Sequence, residues 1–418
     1  MRNWLKILIS QFFSTFGTVL CEFVLVVWVY ENTTSSMALS LLTLSFIVPR
    51  IILSPLVSYL VDKLNRKLML LVSEIGESIV CLSIIFLYTQ DLLTVQLIII
   101  INLLVGLTES FRFPAYSVIT SSLLKDNQYA RAHGLYMIAT ALPSILAPII
   151  GGYLYSIFSI TFFYIINLLT LVVSCTLISL TKLTNKLLEV NQQVSFKDGC
   201  RSLKDSVTFI GKNKNMLYVL IICALYIFTT NSIDVILPVS ILSKYSNGSV
   251  IYGNIETLFG IGGVFGALLV TTLGVGNKIG KSFKIGVYLS YLGMLFICYQ
   301  RFIWVSGFGV LILTIANQIM DACSQAWWQT NVPITKQGQI FAVRRFAIWT
   351  FGSFGTILAG LSDKLASIMP SAFVALTYEV FLLIIVMLMM IITFVLLKNL
   401  KLDKDVVEIN GENISENI

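Results

Sequence analysis

Glu22, Arg50, Asp234 and Asp321 each interrupt a long apolar run. An ionisable group in hydrocarbon costs roughly 2.5–3.5 kcal/mol on insertion scales, so each one is a candidate for function. The chemistry open to them is proton exchange and pairing with a charged solute. An apolar cavity disfavours an ionised carboxyl, which lets such a group gain and lose a proton near neutral pH. Glu22 and Asp234 occupy the outer halves of the first and seventh runs. They are the pair expected to couple protons and attract a cationic substrate; a hydrogen-bonded packing acid is the plain alternative for each. Arg50, beside Pro49, could pair with Glu22, bind an anionic group or serve a structural ion pair. Asp321 precedes Gln325, Trp327 and Trp328. An acid beside aromatics suits a cationic amphiphile, while the tryptophans also fit an interfacial belt near the inner leaflet.

A second set lies toward the inner side. Glu74 and Glu77, three residues apart, share a helix face, and are expected to pair with the nearby basic turn or with Arg112 rather than with substrate. Glu109 and Arg112 have the same spacing and suggest an internal ion pair, part of a gate. Asp62, Lys63, Asn65, Arg66 and Lys67 crowd one short turn between two apolar runs. Such a turn either anchors topology or works as a latch. Glu256 and Glu379 fall near outer helix ends, where carboxylates reach water, and carry little weight.

These groups must be positioned by membrane-spanning helices. The chain has 418 residues, 57% apolar and only 12% charged; a soluble protein carries about twice that charged fraction. The net charge of +7 resides mostly in short loops and, with no aromatic–basic interleaving, points away from nucleic acid. Of seven cysteines, Cys200 alone falls in a loop, and no CxxC occurs. The single histidine, His133, excludes a multi-histidine metal site. There is no Ser–His pair or phosphate loop, so neither an enzyme nor a cofactor is expected. The first run, from Ile7, carries Glu22 and no cleavage site, and reads as a retained helix.

Runs of about 20 residues, enough to cross ~30 Å, fall at 7–30, 38–61, 68–88, 95–121, 129–156, 161–180, 216–242, 250–273, 284–301, 305–328, 341–366 and 373–397. With the N-terminus inside, Lys244, Arg301 and Lys364 fall on the outer side and Arg50 and Arg112 deep within spans, while the other 23 of the 28 Lys and Arg residues lie in cytoplasmic segments or at the inner ends of spans. That bias predicts a cell-membrane protein with both termini cytoplasmic. The expected organisation is all-α: an N-terminal six-helix bundle over 1–180, a cytoplasmic linker over 181–215, a C-terminal six-helix bundle over 216–397 and a disordered tail over 398–418. Phe196, Leu203, Val207 and Ile210 suggest an amphipathic helix on the inner surface within the linker. The halves read as repeats: 62–67 aligns with 274–281, and Gly151 and Gly152 with Gly355 and Gly360. Parallel six-helix repeats around a cavity are one major transporter architecture.

The stretch SYLVDKLNRK, residues 58–67, resembles the loop signature G-x-L-a-D-R-x-G-R-K of the major facilitator superfamily. Leu60, Asp62, Arg66 and Lys67 match, Lys63 replaces arginine, and Ser58 and Asn65 stand at glycine positions. Phe113-Pro114-Ala115, Leu123-Leu124, 130–134 and 147–152 resemble the macrolide-efflux and siderophore-exporter branch, as does Val332-Pro333 followed by 338–341, where Gln339 replaces the usual arginine. Pro148, Gly151 and Gly152 are similar to the antiporter motif of helix five, with Ala147 at a glycine position. The resemblance implies twelve helices in two pseudo-symmetric bundles and a proton-driven exporter of amphipathic compounds, monomeric, working by alternating access. Asp62 would hold the inner gate, and Arg66 and Lys67 would meet anionic lipid or the acids of helix three. An importer or facilitator of a small nutrient, or a non-transporting sensor or scaffold, remain the rival readings.

Overall fold

The computed structural model describes residues 2–63, 66–123, 129–181, 206–273, 279–367 and 374–400. All regular structure among them is helical. The elements are α1 (Arg2–Thr33), α2 (Ser36–Lys63), α3 (Arg66–Thr89), α4 (Val95–Leu123), α5 (Tyr129–Leu154), α6 (Ile160–Ser179), α7 (206–212), α8 (Lys214–Lys244), α9 (Gly248–Leu273), α10 (Ile279–Cys298), α11 (Ile303–Asn331), α12 (Ile334–Gly360), α13 (Ser362–Ala366) and α14 (Val374–Asn399). Ten are long and apolar enough to cross a membrane by length and composition. Their outer faces keep large apolar side chains such as Ile52, Phe86 and Leu169 exposed. A helix satisfies its own backbone polar groups, so it can present such a face to lipid.

Most elements follow the apolar runs closely. Two differ. The ninth run was expected at 284–301, yet α10 begins at Ile279 and ends at Cys298. Helical hydrogen bonding continues past the apolar window, and Lys284 Nζ donates to the Leu400 carbonyl at 3.0 Å, a lysine stem lying along apolar surface with its ammonium at a polar edge. The eleventh was expected at 341–366, yet α12 spans Ile334–Gly360 and the chain restarts as α13. The break at 361 frees Asp363 to turn toward α2. Of the expected linker helix, residues 206–212 are helical with Ser206 and Ile210 buried; 182–205 lies outside the described residues, as does 401–418.

Packing groups the chain into two compact units. The first holds 1–194, 228–261 and 352–383; the second holds 195–227, 262–351 and 384–418. In the first, α1 packs on α5 and α6, α4 on α2 and α3, and α3 on α6. Ile7, Met69, Leu70, Tyr116, Ile119 and Ile178 form one of its buried clusters. Small residues set the approach distances: a side chain at Gly106 would meet the Phe46 carbonyl, 2.5 Å from the Cβ position. The second unit is built on α10 against α11, where Gly293 and Gly309 face each other's backbone.

The turn joining α1 and α2 is short. Ser35 Oγ accepts the Ala38 N–H at 3.2 Å, a helix N-cap. Asp363 completes the cap: Oδ1 accepts from the Ser36 N–H and Oγ at 2.9 and 2.6 Å, and Oδ2 from the Met37 N–H at 3.0 Å and Ser35 Oγ at 2.5 Å. Tyr378 donates a further bond to Oδ1 at 3.1 Å.

Candidate functional site

The polar face of α1 is the scaffold of the site. Gln11, Ser14, Thr15, Thr18 and Glu22 recur at three- and four-residue intervals in an apolar helix, which places them on one side. Gly17 lets α6 come close, because any side chain there would collide with Asn167 and Thr170. The close approach brings Asn167 Nδ2 to 3.2 Å from Glu77 Oε1. Thr18 Oγ1 donates to the same oxygen at 2.6 Å. Arg112 NH2 reaches Glu77 Oε2 at 2.5 Å, and its NH1 reaches Glu109 Oε1 at 2.7 Å. Glu74 is treated differently. Its Oε2 accepts from Ser14 Oγ at 2.8 Å, while Oε1 has no hydrogen-bond donor and lies 4.0 Å from Arg112 Nε. Glu74, Glu77 and Arg112 are 0, 2 and 7% exposed. One guanidinium thus serves three carboxyl groups out of water.

Beside this cluster opens a cavity of about 370 Å³. Glu22, Arg50, Glu109, Arg112, Tyr136 and Thr140 line it, with the α1 residues Gln11, Thr15 and Thr18 on one wall. The structure thus brings Glu22 and Arg50 to one space. The Arg50 guanidinium also sits over the Phe46 ring at 4.9 Å, in range of a cation–π contact. A water-sized pocket of about 30 Å³ lies between Glu22 and Glu77.

Asp234 and Glu22 share the electrostatic surroundings of Tyr252, whose hydroxyl is bonded to Glu256. Phe23 stacks on the Tyr252 ring at 5.1 Å. Three acids therefore act electrostatically on Tyr252, one of them by direct contact. Glu256 was given little weight from sequence; the available signal was its position four residues after Tyr252, on the same helix face. Asn167, Ser14 and Thr18 were also missed, although polar residues at helical spacing in an apolar run are a usable signal.

In the second unit, Asp321 is exposed and Arg344 is its charged neighbour. Arg344 donates to Gln325 Oε1 and Ser324 Oγ, both at 3.0 Å, and lies over Trp328 at 5.4 Å. Trp327 and Trp328 are buried, 4 and 0% exposed. This corrects the interfacial-belt reading: the face bearing these rings turns into the packing, and Arg344 covers Trp328. Arg344 lies well inside α12 and was not among the site candidates read from the sequence.

Pro148, Gly151 and Gly152 lie in α5. A side chain at Gly151 would meet Phe23, and one at Gly152 would come within 2.7 Å of the Ser249 carbonyl. Gly253 of α9 likewise faces the Pro148 carbonyl. Gly355 faces the Phe228 carbonyl of α8, and Gly360 faces Ser40 of α2. At the α2–α3 turn, Lys67 Nζ donates to the Ser179 and Thr181 carbonyls at 2.7 and 2.9 Å. These carbonyls lie at the C-terminus of α6 and two residues past it, where a cation complements the helix dipole. The side chains of Asp62, Lys63 and Arg66, and residues 274–278 of the second turn, lie outside the described residues. No group of three or more His, Cys, Asp or Glu side chains is placed to hold a metal ion among the described residues.

A family model described as Major Facilitator Superfamily matches residues 7–356. The chain belongs to the Major Facilitator Superfamily. It is therefore a multi-pass membrane protein and a secondary transporter of a small-molecule substrate, not an enzyme. Macrolide efflux protein A of Streptococcus pyogenes is 23% identical over 362 residues, covering 84% of this chain and 87% of that protein. The putative bacilysin exporter BacE of Bacillus subtilis is 25% identical over 321 residues, covering 75% and 77%. A crystal structure of the nucleoside transporter NupG superposes with a TM-score of 0.78 at 12% identity, over 96% of this facilitator and all of that chain. A POT family transporter in complex with 5-aminolevulinic acid gives 0.72 at 11% identity, over 96% of each chain. At such identity these likenesses speak for the all-helical facilitator fold alone.

Proposed function

We propose that this facilitator exports cationic, amphipathic small molecules by proton-driven alternating access. The observation that carries the reading is the surplus of acids over cations in the cluster at the cavity wall: Glu22 and Glu109 line the cavity with Arg50 and Arg112, and Glu74 and Glu77 lie behind Arg112. Such a surplus attracts cations and protons. The stacked Phe23–Tyr252 pair beside Glu22, Asp234 and Glu256 suits the apolar, positively charged part of a solute. Distant similarity to a macrolide efflux protein and a putative bacilysin exporter supports the outward direction.

On this reading both termini face the cytoplasm of the cell, because the loop cations accumulate there. Residues 1–180 and 216–397 rock as two bundles joined by 181–215. Asp62 latches the inner gate, and the basic residues beside it meet anionic lipid. The protein acts as a monomer, with Pro148, Gly151 and Gly152 forming a close helix contact that resists a water leak. The test is direction and drive. Cells expressing the protein should accumulate less ethidium, and a protonophore should restore accumulation. Unchanged accumulation of ethidium and of other cationic amphiphiles, with uptake of a nutrient instead, would replace export with import.

A further inference from the structure

We propose that Glu74 carries the coupling proton and exchanges it through Arg112 with the 370 Å³ cavity. This rests on the proton-driven reading above. The three carboxyl groups around Arg112 are not equivalent. Glu77 accepts from Thr18, Asn167 and Arg112, three donors that suit an ionised carboxylate. Glu109 forms an ion pair with Arg112 NH1 at 2.7 Å, its Oε1 otherwise without a hydrogen-bond partner, and opens on the cavity, its side chain 14% exposed. Glu74 has one hydroxyl donor, no exposed surface, and an oxygen without a donor. An ionised carboxylate in that position would be a buried charge with most of its acceptor sites unmet, which is strongly unfavourable. A neutral Glu74 leaves Arg112 balanced between Glu77 and Glu109.

The charged and titratable groups that face Glu74 are few on each helix. They are Glu77 from α3 itself, Glu109 and Arg112 from α4, and Cys175 from α6, with the Ser14 hydroxyl from α1. The nearest cation is Arg112 Nε, 4.0 Å from Glu74 Oε1. A shift of about 1 Å would make that contact a hydrogen bond. When Arg112 leaves Glu109, the Glu74 O–H bond can break. The oxygen keeps the electron pair and pairs with Arg112, and the proton passes to the Glu109 carboxylate that Arg112 has left, which lines the cavity and can hand it to water there. Reversal of the same motion returns the proton. A single guanidinium that can satisfy two but not three acids is a two-state element, which is what coupling requires.

The test uses the full-length protein, purified and reconstituted, with ethidium as probe. At neutral pH the infrared spectrum of wild type should contain a protonated-carboxyl C=O band that is missing from Glu74→Gln and present in Glu77→Gln. Glutamine copies the size of the neutral acid, so packing is preserved. In vesicles, ethidium transport driven by an imposed pH gradient should fall at least tenfold in Glu74→Gln and be partly restored in Glu74→Asp. An unchanged carboxyl band in Glu74→Gln overturns the assignment. So does full gradient-driven transport in that variant when wild type responds, and the proton-driven reading then stands with another residue. If wild type itself ignores the gradient, the proton-driven reading fails and this assignment fails with it.

Discussion

Arg112 is the residue on which the buried cluster depends. Removing it takes away the one guanidinium that Glu74, Glu77 and Glu109 share. Breaking a buried ion pair by deleting one partner costs about 3–5 kcal/mol. Arg112→Ala should therefore lower the thermal midpoint of the detergent-solubilised protein markedly. Arg112→Lys should fall between the two, because an ammonium keeps the charge but lacks the fork that reaches two carboxylates. Equal midpoints for wild type and Arg112→Ala would show that the acids are neutral without it. At this scale the spacing of Glu74 with Glu77 and of Glu109 with Arg112 could be read from the sequence. That all four meet at one point could not, because α3 and α4 must first be brought into register. The donors that divide the acids into unlike roles, Ser14, Thr18 and Asn167, come from α1 and α6 and are distant in the chain.

At the scale of elements, Asp363 ties the start of α2 to the segment between α12 and α14. Burial opposes its charge, yet the Met37 and Ser36 N–H groups and the Ser35 and Ser36 hydroxyls prevail and hold its carboxyl below the usual carboxylate range. The folded protein thus binds this proton less readily than the unfolded chain. The stability contributed is full above the ordinary aspartate pKa of about 3.9 and is lost as pH falls through the lower folded value. Asp363→Asn should have a lower thermal midpoint than wild type at neutral pH, and the gap should close in acid. A gap independent of pH would mean that the cap acts without its charge. Because Asp363 is only partly buried, solvent screening keeps the effect modest. The sequence placed residues 361–366 inside a span, since Leu361, Leu365 and Ala366 continue the apolar run. Only the tertiary structure shows the helix stopping there, with Gly360 against Ser40 and Asp363 bonded to the start of α2.

For the molecule as a whole, the proposed alternating access by two rocking bundles predicts that the α1–α2 turn and α13 separate during the cycle. Ser36 Oγ and Ser362 Oγ lie 2.9 Å apart. A disulfide between Ser36→Cys and Ser362→Cys should stop transport under oxidation and release it on reduction. Transport at the full wild-type rate with the cross-link formed would refute the rocking mechanism. Apolar length and loop charge were enough to read a helical membrane protein from the sequence, and ten spans are long and apolar enough in the structure. Both properties are local: a window of about 20 residues either can or cannot cross hydrocarbon. The loop signature of residues 58–67 and the family it resembles were legible for the same reason. Which embedded acid is paired, which is open to the cavity and which is left with one donor was decided only by the tertiary structure. A charge in a low-dielectric interior is governed by the few atoms within about 4 Å of it, and for Glu74 those atoms come from α1, α3 and α4 together.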